Sequence, residues 1–489
     1  MINIDYILSC HGYGGGSGTG KDKTPPPPCT NFTATSGDAQ VVLNWTNPVD
    51  TDFVGIKILR KEGSYPTSPT DGEIVYSGAN TSYTDTTAIN NTKYYYRAFT
   101  FDYDNNFNIT ESGQEATVTL IEIREYGINW NKSTDVVTRL GSAIGLNAPV
   151  VNGNTNYTND FSSLYPWSGI KRCNLSDSGV VNAYYGDVNY KTDGSNGQCM
   201  VEIPKFWYKV INVDANNIQF WIADAPKSGY EVHSAFFRCR DKLTDDQTGV
   251  AIEVDKRYHH TYLPYLNGTK LESKSGVSPS VSISLTNGRT YAKNRGNSWG
   301  LVDFNLRYAI QLLYLIEYAS FDSQTKIGRG FVDGNTASHI TGGTNSYGNA
   351  SYGETTGKLQ MSYRGIEDFY GNCYQWIDGF FCNASRNIMI GNKGFNDTGT
   401  GYTTYTTRLG ADLSGYISDI FGDKTTGFVP KVTTGSATTK LYDQGYLNAG
   451  FLPIAGGSWA IASSAGAFYF DCSSSASYAA ATVACSLAF

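Results

Sequence analysis

Charged residues are scarce in this chain. Only 17% of its 489 residues are Asp, Glu, Lys or Arg, and the formal net charge is −7. An acidic chain with few positive charges lacks the electrostatic footprint of a protein that binds nucleic acid or an anionic membrane. The sequence therefore predicts neither nucleic acid nor a membrane surface as a partner.

Long apolar runs are missing as well. No stretch reaches the roughly 20 apolar residues that cross a bilayer, so membrane insertion is not expected. The first 20 residues, MINIDYILSCHGYGGGSGTG, have no basic region, and Asp5 and Cys10 break their apolar run. This pattern differs from a secretory signal peptide. We therefore expect synthesis in the cytoplasm.

Paired cysteines and catalytic motifs are also absent. The nine cysteines are odd in number and include no CxxC pair, so buried free thiols are predicted rather than a zinc site. There is no G-x-S-x-G elbow, and the neighbours His259 and His260 are expected to point to opposite faces of a strand. The acidic loop FDYDNNFN lacks the Gly and distal Glu of an EF-hand, which favours a turn. No catalytic residue, metal site or cofactor is predicted.

What the chain does contain is organised in segments. GYGGGSGTGKDKTPPPP combines a flexible Gly/Ser stretch with a stiff Pro run, which is typical of a linker. Residues 1–28 are therefore interpreted as an N-terminal anchor and linker. Residues 29–120 contain short strand-like runs separated by turn signals, as in QVVLNWTNP and FVGIKILRKE.

Residues 29–120 resemble a fibronectin type III domain, an all-β sandwich. The resemblance depends on an early strand tryptophan, Trp45, and on the T-x-Y-x-Y-R-A pattern within NNTKYYYRAFTFD. It implies that Tyr94 is the corner tyrosine and that Tyr96 points into the core. Because no catalytic constellation lies in this segment, it is expected to be a spacer.

Residues 121–489 form a second, larger segment with one clear helix. SWGLVDFNLRYAIQLLYLIEYASFDSQ has apolar residues at helical spacing, with Asp303 as its N-cap. The apolar positions of that helix are Leu306, Ala309, Ile310, Leu313, Tyr314 and Ile316. Short strand-like runs alternate with long polar loops elsewhere, which predicts an α+β domain.

Four motifs occur in order in this segment: VEIPKFWYKV, HSAFFR at His233, YRGIEDFYGNCYQWIDG and AGGSW. Together they resemble the C-type-lectin-like fold of formylglycine-generating enzymes and of variable proteins diversified by retroelements. The resemblance implies that the segments Gly371–Trp376 and Gly456–Trp459 build a central sheet beneath a ligand face. Their glycines and tryptophans are expected to be scaffold rather than chemistry.

The whole arrangement resembles a bacteriophage tail adhesin, a receptor-binding protein. That resemblance implies a place in the virion, at the tail tip or fibre, after synthesis in the host cytoplasm. The implied partners are a bacterial surface receptor, either glycan or protein, and other tail proteins through the N-terminus. Adhesins of this class are usually homotrimers, so a homo-oligomer is expected. Several weak sites on one particle would also gain avidity.

Two alternatives stay open beside the phage adhesin. The first is an enzyme, of either the formylglycine-generating or the glycan-cleaving kind. Formylglycine-generating enzymes carry a copper-binding cysteine pair after the G-G-S motif, whereas this chain has AIASS at residues 460–464. A glycan-cleaving enzyme would need paired carboxylates, and Glu367, Asp368 and Asp378 lie close together in sequence. A bacterial surface adhesin is the other alternative, although no signal peptide or wall-anchor motif supports it.

The segment 460–478 is predicted to be the variable, ligand-binding part of the face. It is rich in Ala, Ser, Tyr and Phe, which supply contact area at low entropy cost, as in antibody loops. Lys, Glu, Gln, Met and Trp, whose codons never end in a pyrimidine, are absent after Trp459. TVACSL, followed by Phe489, is interpreted instead as a closing core strand. The predicted ligand-binding residues are Ala460, Ile461, Ser463, Ser464, Ala467, Phe468, Tyr469, Phe470, Asp471, Ser473, Ser474 and Tyr478.

Overall fold

The chain divides into two compact units, residues 1–123 and 124–489. The computed structural model describes residues 23–37, 39–110, 115–119, 122–238, 251–334, 336–408 and 410–489. Most regular elements in both units are β-strands, so the predicted multidomain, β-rich fold is confirmed. The predicted anchor and the glycine-rich part of the linker fall on residues 1–22, outside the described residues.

The smaller unit is made of antiparallel strands in two sheets, with the orders β1-β2-β5 and β4-β3-β6-β7. The strands are Thr30–Gly37 (β1), Gln40–Thr46 (β2), Gly55–Glu62 (β3), Glu73–Gly78 (β4), Ser82–Asp85 (β5), Lys93–Phe101 (β6) and Glu115–Thr119 (β7). Residues from both sheets, among them Leu43, Trp45 and Ile58, share one apolar core. Alternate residues of each strand therefore face a common interior.

Two tyrosines of β6 have the roles that the sequence predicts. The backbone N–H of Ile89 donates to the hydroxyl of Tyr94 at 3.3 Å, which links the strand to the turn before it. Tyr96 is fully buried and donates to Asp85 at 2.8 Å. Arg60 also binds Asp85, at 2.7 Å, so the buried carboxylate is paired.

The larger unit has many short strands and three α-helices among its described residues. Its strands before the helices are Glu125–Asn131 (β8), Val136–Gly141 (β9), Lys171–Leu175 (β10), Val181–Tyr184 (β11), Gln198–Pro204 (β12), Trp207–Asn212 (β13), Asn217–Ala223 (β14), Glu231–Val232 (β15), Phe237–Arg238 (β16), Ile252–Glu253 (β17), Lys256–His260 (β18), Tyr265–Asn267 (β19) and Lys270–Glu272 (β20). The α-helices are Leu285–Lys293 (α1), Phe304–Tyr318 (α2) and Ser323–Lys326 (α3).

The strands after the helices include those that carry the C-terminal segment. They are Ser362–Tyr363 (β21), Ile366–Glu367 (β22), Tyr374–Trp376 (β23), Phe380–Cys382 (β24), Asn387–Ile390 (β25), Thr403–Arg408 (β26), Leu413–Tyr416 (β27), Asp419–Ile420 (β28), Pro430–Val432 (β29), Gln444–Leu447 (β30), Leu452–Ala455 (β31), Phe470–Ser474 (β32) and Val483–Ala484 (β33). Single turns of 3-10 helix lie at Asp160–Ser163, Trp167–Gly169, Ser234–Phe236, Asn345–Tyr347 and Ala462–Ser464.

Helix α2 is the centre of the larger unit. All fifteen of its residues are buried, and the side chain of Asp303 accepts from the N–H of Leu306, as an N-cap does. One side of the helix contacts β8 and β14 of a five-stranded sheet with the order β15-β13-β14-β8-β9. Another side contacts β32 of a mixed six-stranded sheet with the order β27-β30-β32-β31-β23-β33. A helix buried on every side is expected to be apolar all round, as most of α2 is.

The two glycine-containing motifs lie side by side in the six-stranded sheet. Strand β23 pairs with β31, and the N–H of Gly371 donates to the carbonyl of Gly456 at 3.0 Å. The N–H of Trp459 donates to the carbonyl of Asn372 at 2.8 Å. Residues 483–488 are buried, so TVACSL belongs to the core, as predicted.

The histidine pair differs from the prediction. The rings of His259 and His260 lie 4.1 Å apart instead of on opposite faces. Strand β18 ends at His260, and Nδ1 of His259 is 2.8 Å from the carbonyl oxygen of His260. Both residues belong to β18, and this contact turns the ring of His259 along the strand toward His260.

The cysteines of the described residues are buried and free, as predicted: Cys29, Cys173, Cys199, Cys373, Cys382, Cys472 and Cys485. Cys10 and Cys239 lie outside the described residues. Within the part of the chain that the structure describes, no helix has the length and apolar character needed to cross a bilayer.

Trp376→Ala is expected to destabilise the larger unit by about 3–5 kcal/mol, because the indole is fully buried and donates to the carbonyl of Ile283. Trp459→Ala is expected to cost less, since this side chain is only half-buried. Calorimetric unfolding of the full chain measures both, with the transition of the smaller unit as the internal control. Equal losses at the two positions would contradict this difference.

Candidate binding face

The predicted binding segment begins with an exposed turn. Ala460 and Ser463 are exposed, and Ile461 and Ser464 are half-buried. The hydroxyl of Tyr416 lies 3.3 Å from that of Ser464 and 3.5 Å from that of Ser463. These four residues of the predicted set are therefore accessible, beside a tyrosine from another strand.

The backbone of Ala467 is fixed from two directions. Its N–H donates to the hydroxyl of Ser323 at 3.0 Å. Its carbonyl accepts from Gln311 at 2.8 Å and from Arg307 at 3.1 Å, both on α2. Ala467 itself is fully buried, so the prediction that it contacts a ligand is wrong.

Phe468 and Phe470 also belong to the core, which corrects the prediction for both. Phe468 is fully buried, with its ring centroid 5.0 Å from those of Phe321 and Phe428. Phe470 is 6% exposed and packs 5.0 Å from Phe380. Large aromatic surface is stabilised by such burial, so these rings are not free to meet a ligand.

Strand β32 then alternates between the core and the opposite face. Cys472 is buried and Ser474 is 7% exposed, so Ser474 is likewise withdrawn from the binding set. Asp471 and Ser473 point the other way and are half-buried. The period of two along a strand explains why only these two of the five residues face outward.

Residues from three more elements share that outward face of the sheet. Tyr446 of β30 lies directly opposite Asp471, and Ser414 of β27 lies opposite Tyr446. Ile454 of β31 and Trp376 of β23 continue the same row, but both side chains are buried, so this part of the face is covered. Residues two positions away along each strand share the face. We define the tyrosine face as Tyr374, Tyr416, Tyr446, Tyr469, Asp471 and Ser473.

Tyr469 forms the floor of the tyrosine face. It is only 3% exposed, so the prediction that Tyr469 is an exposed ligand contact is wrong. Tyr469 instead supports the neighbouring rings from below. Its ring centroid lies 5.5 Å from that of Tyr374 and 6.5 Å from that of Tyr446. Its hydroxyl donates to Asp471 at 3.3 Å, and the hydroxyl of Ser473 donates to the same carboxylate.

Tyr478 lies farther along the same sheet. It is 41% exposed, and its ring centroid is 6.5 Å from that of Trp376. Trp376 belongs to the strand row that contains Asp471, separated from it by Ile454. Tyr478 therefore flanks the tyrosine face without being part of its ring cluster.

The electrostatics of the face keep its hydroxyl groups neutral. Burial raises the pKa of Tyr374, Tyr446 and Tyr469, so each hydroxyl is a donor as well as an acceptor at neutral pH. Burial also raises the pKa of Asp471, although the hydrogen bonds from Ser473 and Tyr469 oppose that rise. The face offers neutral hydrogen-bonding groups around one carboxyl.

The carboxylates considered for a hydrolytic site are internal. Glu367, Asp368 and Asp378 are each at most 1% exposed. Glu367 accepts from the backbone N–H groups of Gly342 and Thr344 at 2.7 and 2.8 Å. Burial and the neighbouring Glu367 raise the pKa of Asp368. All three are placed to hold loops together rather than to reach a substrate.

Asp378 has its own ion pair. Both of its carboxylate oxygens accept from Arg289, at 2.7 and 2.8 Å. This bidentate geometry is the strong form of an Arg–carboxylate pair. Among the described residues, no group of three or more His, Cys, Asp or Glu side chains is arranged to hold a metal ion.

The sequence gives little sign of three members of the face. Tyr374, Tyr416 and Tyr446 are 23 to 95 residues from Tyr469, and only strand pairing brings them together. Tyr374 lies within the motif YGNCYQW, and Tyr416 ends the tyrosine-rich stretch YTTYTTRLGADLSGY. Those local patterns are the only signals that point to them.

The sequence matches no protein-family model and no curated protein. One solved structure that it resembles is that of PvdO from Pseudomonas aeruginosa, at 10% identity and a TM-score of 0.23. The match covers 61% of this chain and 96% of that chain. At this TM-score the likeness carries no argument about fold or function.

Replacing Asp471 by Asn is expected to stabilise the chain increasingly as pH rises. A carboxyl whose pKa is raised on folding loses stability as pH climbs from its ordinary pKa of 3.8 through the folded value. The difference in Tm between Asp471→Asn and wild type should be near zero below pH 4, grow above it and then level off. Thermal unfolding across pH 3.5–8 measures it.

Asp412→Asn is the matched control, because the pKa of Asp412 is shifted in the opposite direction. Asp412 is exposed, and its hydrogen bond from Arg386 lowers its pKa, so its removal gives no gain at neutral pH. A stability difference for Asp471→Asn that does not change with pH would contradict the expected burial effect.

Proposed function

We propose that this chain is the receptor-binding adhesin of a bacteriophage tail. The tyrosine face, together with the exposed turn at residues 460–464, is its contact surface for the bacterial cell. The observation that carries the proposal is the packing of Tyr374 and Tyr446 around Tyr469, whose hydroxyl donates to Asp471, on one face of a well-packed sheet. Their hydroxyl groups and ring edges give hydrogen bonds and apolar area at once.

Such a face binds well for a physical reason. Tyr has few rotatable bonds, so ordering its side chain on binding costs little entropy for the area it contributes. Ser and Ala in the adjoining turn leave room for a partner of varied shape. Because α2 and the sheet hold the floor of the face in place, little further ordering is required when a partner binds.

In this proposal the two units have different tasks. The smaller unit is a fibronectin type III spacer, which fits its two sheets and the hydrogen bond to Tyr94. The larger unit is a C-type-lectin-like head that carries the contact surface. The N-terminal segment attaches to other tail proteins, and the protein acts in the virion after synthesis in the host cytoplasm.

The double change Tyr416→Ala and Tyr446→Ala is expected to weaken binding to bacteria about tenfold or more for each lost ring. Truncating a central aromatic contact costs about 1–2 kcal/mol or more, and 1.4 kcal/mol is about tenfold in Kd. Binding of the labelled full chain is measured on a bacterial isolate chosen from a panel because it binds the wild type.

Tyr185→Ala is the matched control for this test. Tyr185 lies in the same unit and is 38% exposed, but it is outside the tyrosine face. It should leave cell binding unchanged, and the unfolding temperature shows whether each variant is folded. Wild-type binding by the folded double variant would place the contact surface elsewhere.

The genes beside the reading frame give a second test: tail genes, or a reverse transcriptase with a template repeat, are expected.

The full chain is expected to form a homo-oligomer, with a trimer as the usual state of the class. Several copies on one particle convert weak contacts into avidity when linkers let them engage together. Light scattering with the N-terminal segment intact measures the mass. A monomer mass across a wide concentration range would contradict the expectation.

A further inference from the structure

A polar pocket of about 280 Å³ lies beside the turn at residues 460–464. We define the polar pocket by six of its lining residues: Asn152, Asp322, Arg329, Thr355, Tyr442 and Asp443. Gln324, also in its lining, donates to the carbonyl oxygens of Ala462 and Ala465 at 3.0 and 2.7 Å. Ser463 of the turn also lines the pocket, and its hydroxyl lies 3.5 Å from that of Tyr416, so the pocket adjoins the edge of the tyrosine face.

The lining chemistry selects against several ligand classes. Ala437 is the only aliphatic side chain in the lining, so an apolar ligand would find little surface to cover. Asp322 and Asp443 both line the pocket, and burial raises the pKa of Asp443. Arg329 is already paired with Asp333 at 2.7 Å, so it does not neutralise Asp322. An anion would therefore meet net negative charge. What fits is a neutral ligand with many hydrogen-bonding groups.

The lining presents hydroxyl, amide and carboxylate groups from Thr355, Ser463, Gln324 and Asp322. A ligand hydroxyl can both donate to and accept from groups of these kinds. The lining therefore matches the chemistry of a ligand that carries several alcohol groups.

The aromatic side chain of the pocket is held by a strained backbone. Tyr442 has φ = 63° and Ala462, beside the pocket, has φ = 51°. Bulky residues adopt this left-handed region rarely, and such strain clusters at ligand clamps. Tyr442 is half-buried, so part of its ring remains open to the pocket. The apolar C–H face of a sugar ring packs well on such a surface.

We infer that the polar pocket binds a neutral saccharide unit of the bacterial surface, one or two rings in size. Its volume lies just below the range of about 300–1,000 Å³ for drug-sized ligands, which limits the ligand to that size. A carboxylate accepts hydrogen bonds from ligand hydroxyls, an amide can both accept and donate, and Tyr442 supplies the stacking surface. This inference rests on the proposed adhesin function and names a glycan as the part of the receptor that enters the pocket.

The test uses the full chain and a panel of free sugars. Neutral hexoses, 6-deoxyhexoses, heptoses and N-acetylhexosamines are titrated, with saturation-transfer NMR as the measurement. Thr355→Trp places a large ring at the exposed edge of the pocket, and Tyr442→Asn removes the aromatic surface with a residue that tolerates positive φ. Thr356→Trp is the matched control, because Thr356 is the exposed neighbour outside the pocket lining.

At least one sugar is expected to bind saturably, with affinity reduced tenfold or more by Thr355→Trp and Tyr442→Asn and less than twofold by Thr356→Trp. If no sugar of the panel binds, or if Thr355→Trp binds as well as wild type, the inference is wrong. Measuring cell binding beside sugar binding distinguishes failure of the pocket inference from failure of the adhesin proposal. Adhesion that survives loss of sugar binding overturns the pocket alone, whereas sugar binding without adhesion to any isolate overturns the adhesin function alone.

Discussion

The complete burial of helix α2 is the constraint on which the larger unit depends. Because the helix has no face toward water, its charged and amide side chains need partners inside the protein. Arg307 donates to the carbonyls of Phe369 and Ala467, and its guanidinium lies 3.8 Å from the ring centroid of Phe369. Burial lowers the pKa of Arg307 to about 9. At the far end of α2, Glu317 forms a buried bidentate pair with Arg364.

This constraint also orients the C-terminal segment. Arg307 and Gln311 both donate to the carbonyl of Ala467, and the N–H of Phe468 donates to Asp443 at 2.7 Å. With the backbone fixed at these points, Phe468 enters the core and Asp471 emerges on the other face of the sheet. The tyrosine face therefore follows from hydrogen bonds that satisfy a buried helix.

Local patterns predict local structure well in this chain. The N-cap Asp303, the helix that follows it and the roles of Tyr94 and Tyr96 depend on residues within a few positions of one another. The predicted binding set fails where the outcome depends on register. Nothing in the stretch AFYFDCSSS says which of the alternating residues face α2, because a shift by one residue exchanges the faces.

Long-range pairing hides the rest of the site from the sequence. Strand β32 lies between β30, which is parallel to it, and β31, which is antiparallel. A parallel neighbour requires a crossover connection, and here it brings in Tyr446 from a strand more than twenty residues earlier. The polar pocket likewise joins Asn152 to Asp443, which are nearly 300 residues apart. Neither arrangement has a local signature.

The composition of the C-terminal segment has two physical causes. Small residues are needed where the chain passes close to other groups: a Cβ at Gly466 would lie 2.1 Å from a carboxylate oxygen of Asp443. Aromatic residues are needed on both sides, since Phe468 fills the core while Tyr469 supports the open face. A segment with both duties tolerates variation only where side chains point outward. In β32 those positions are Asp471 and Ser473, whereas a polar replacement of Phe468 would leave an unpaired group against α2.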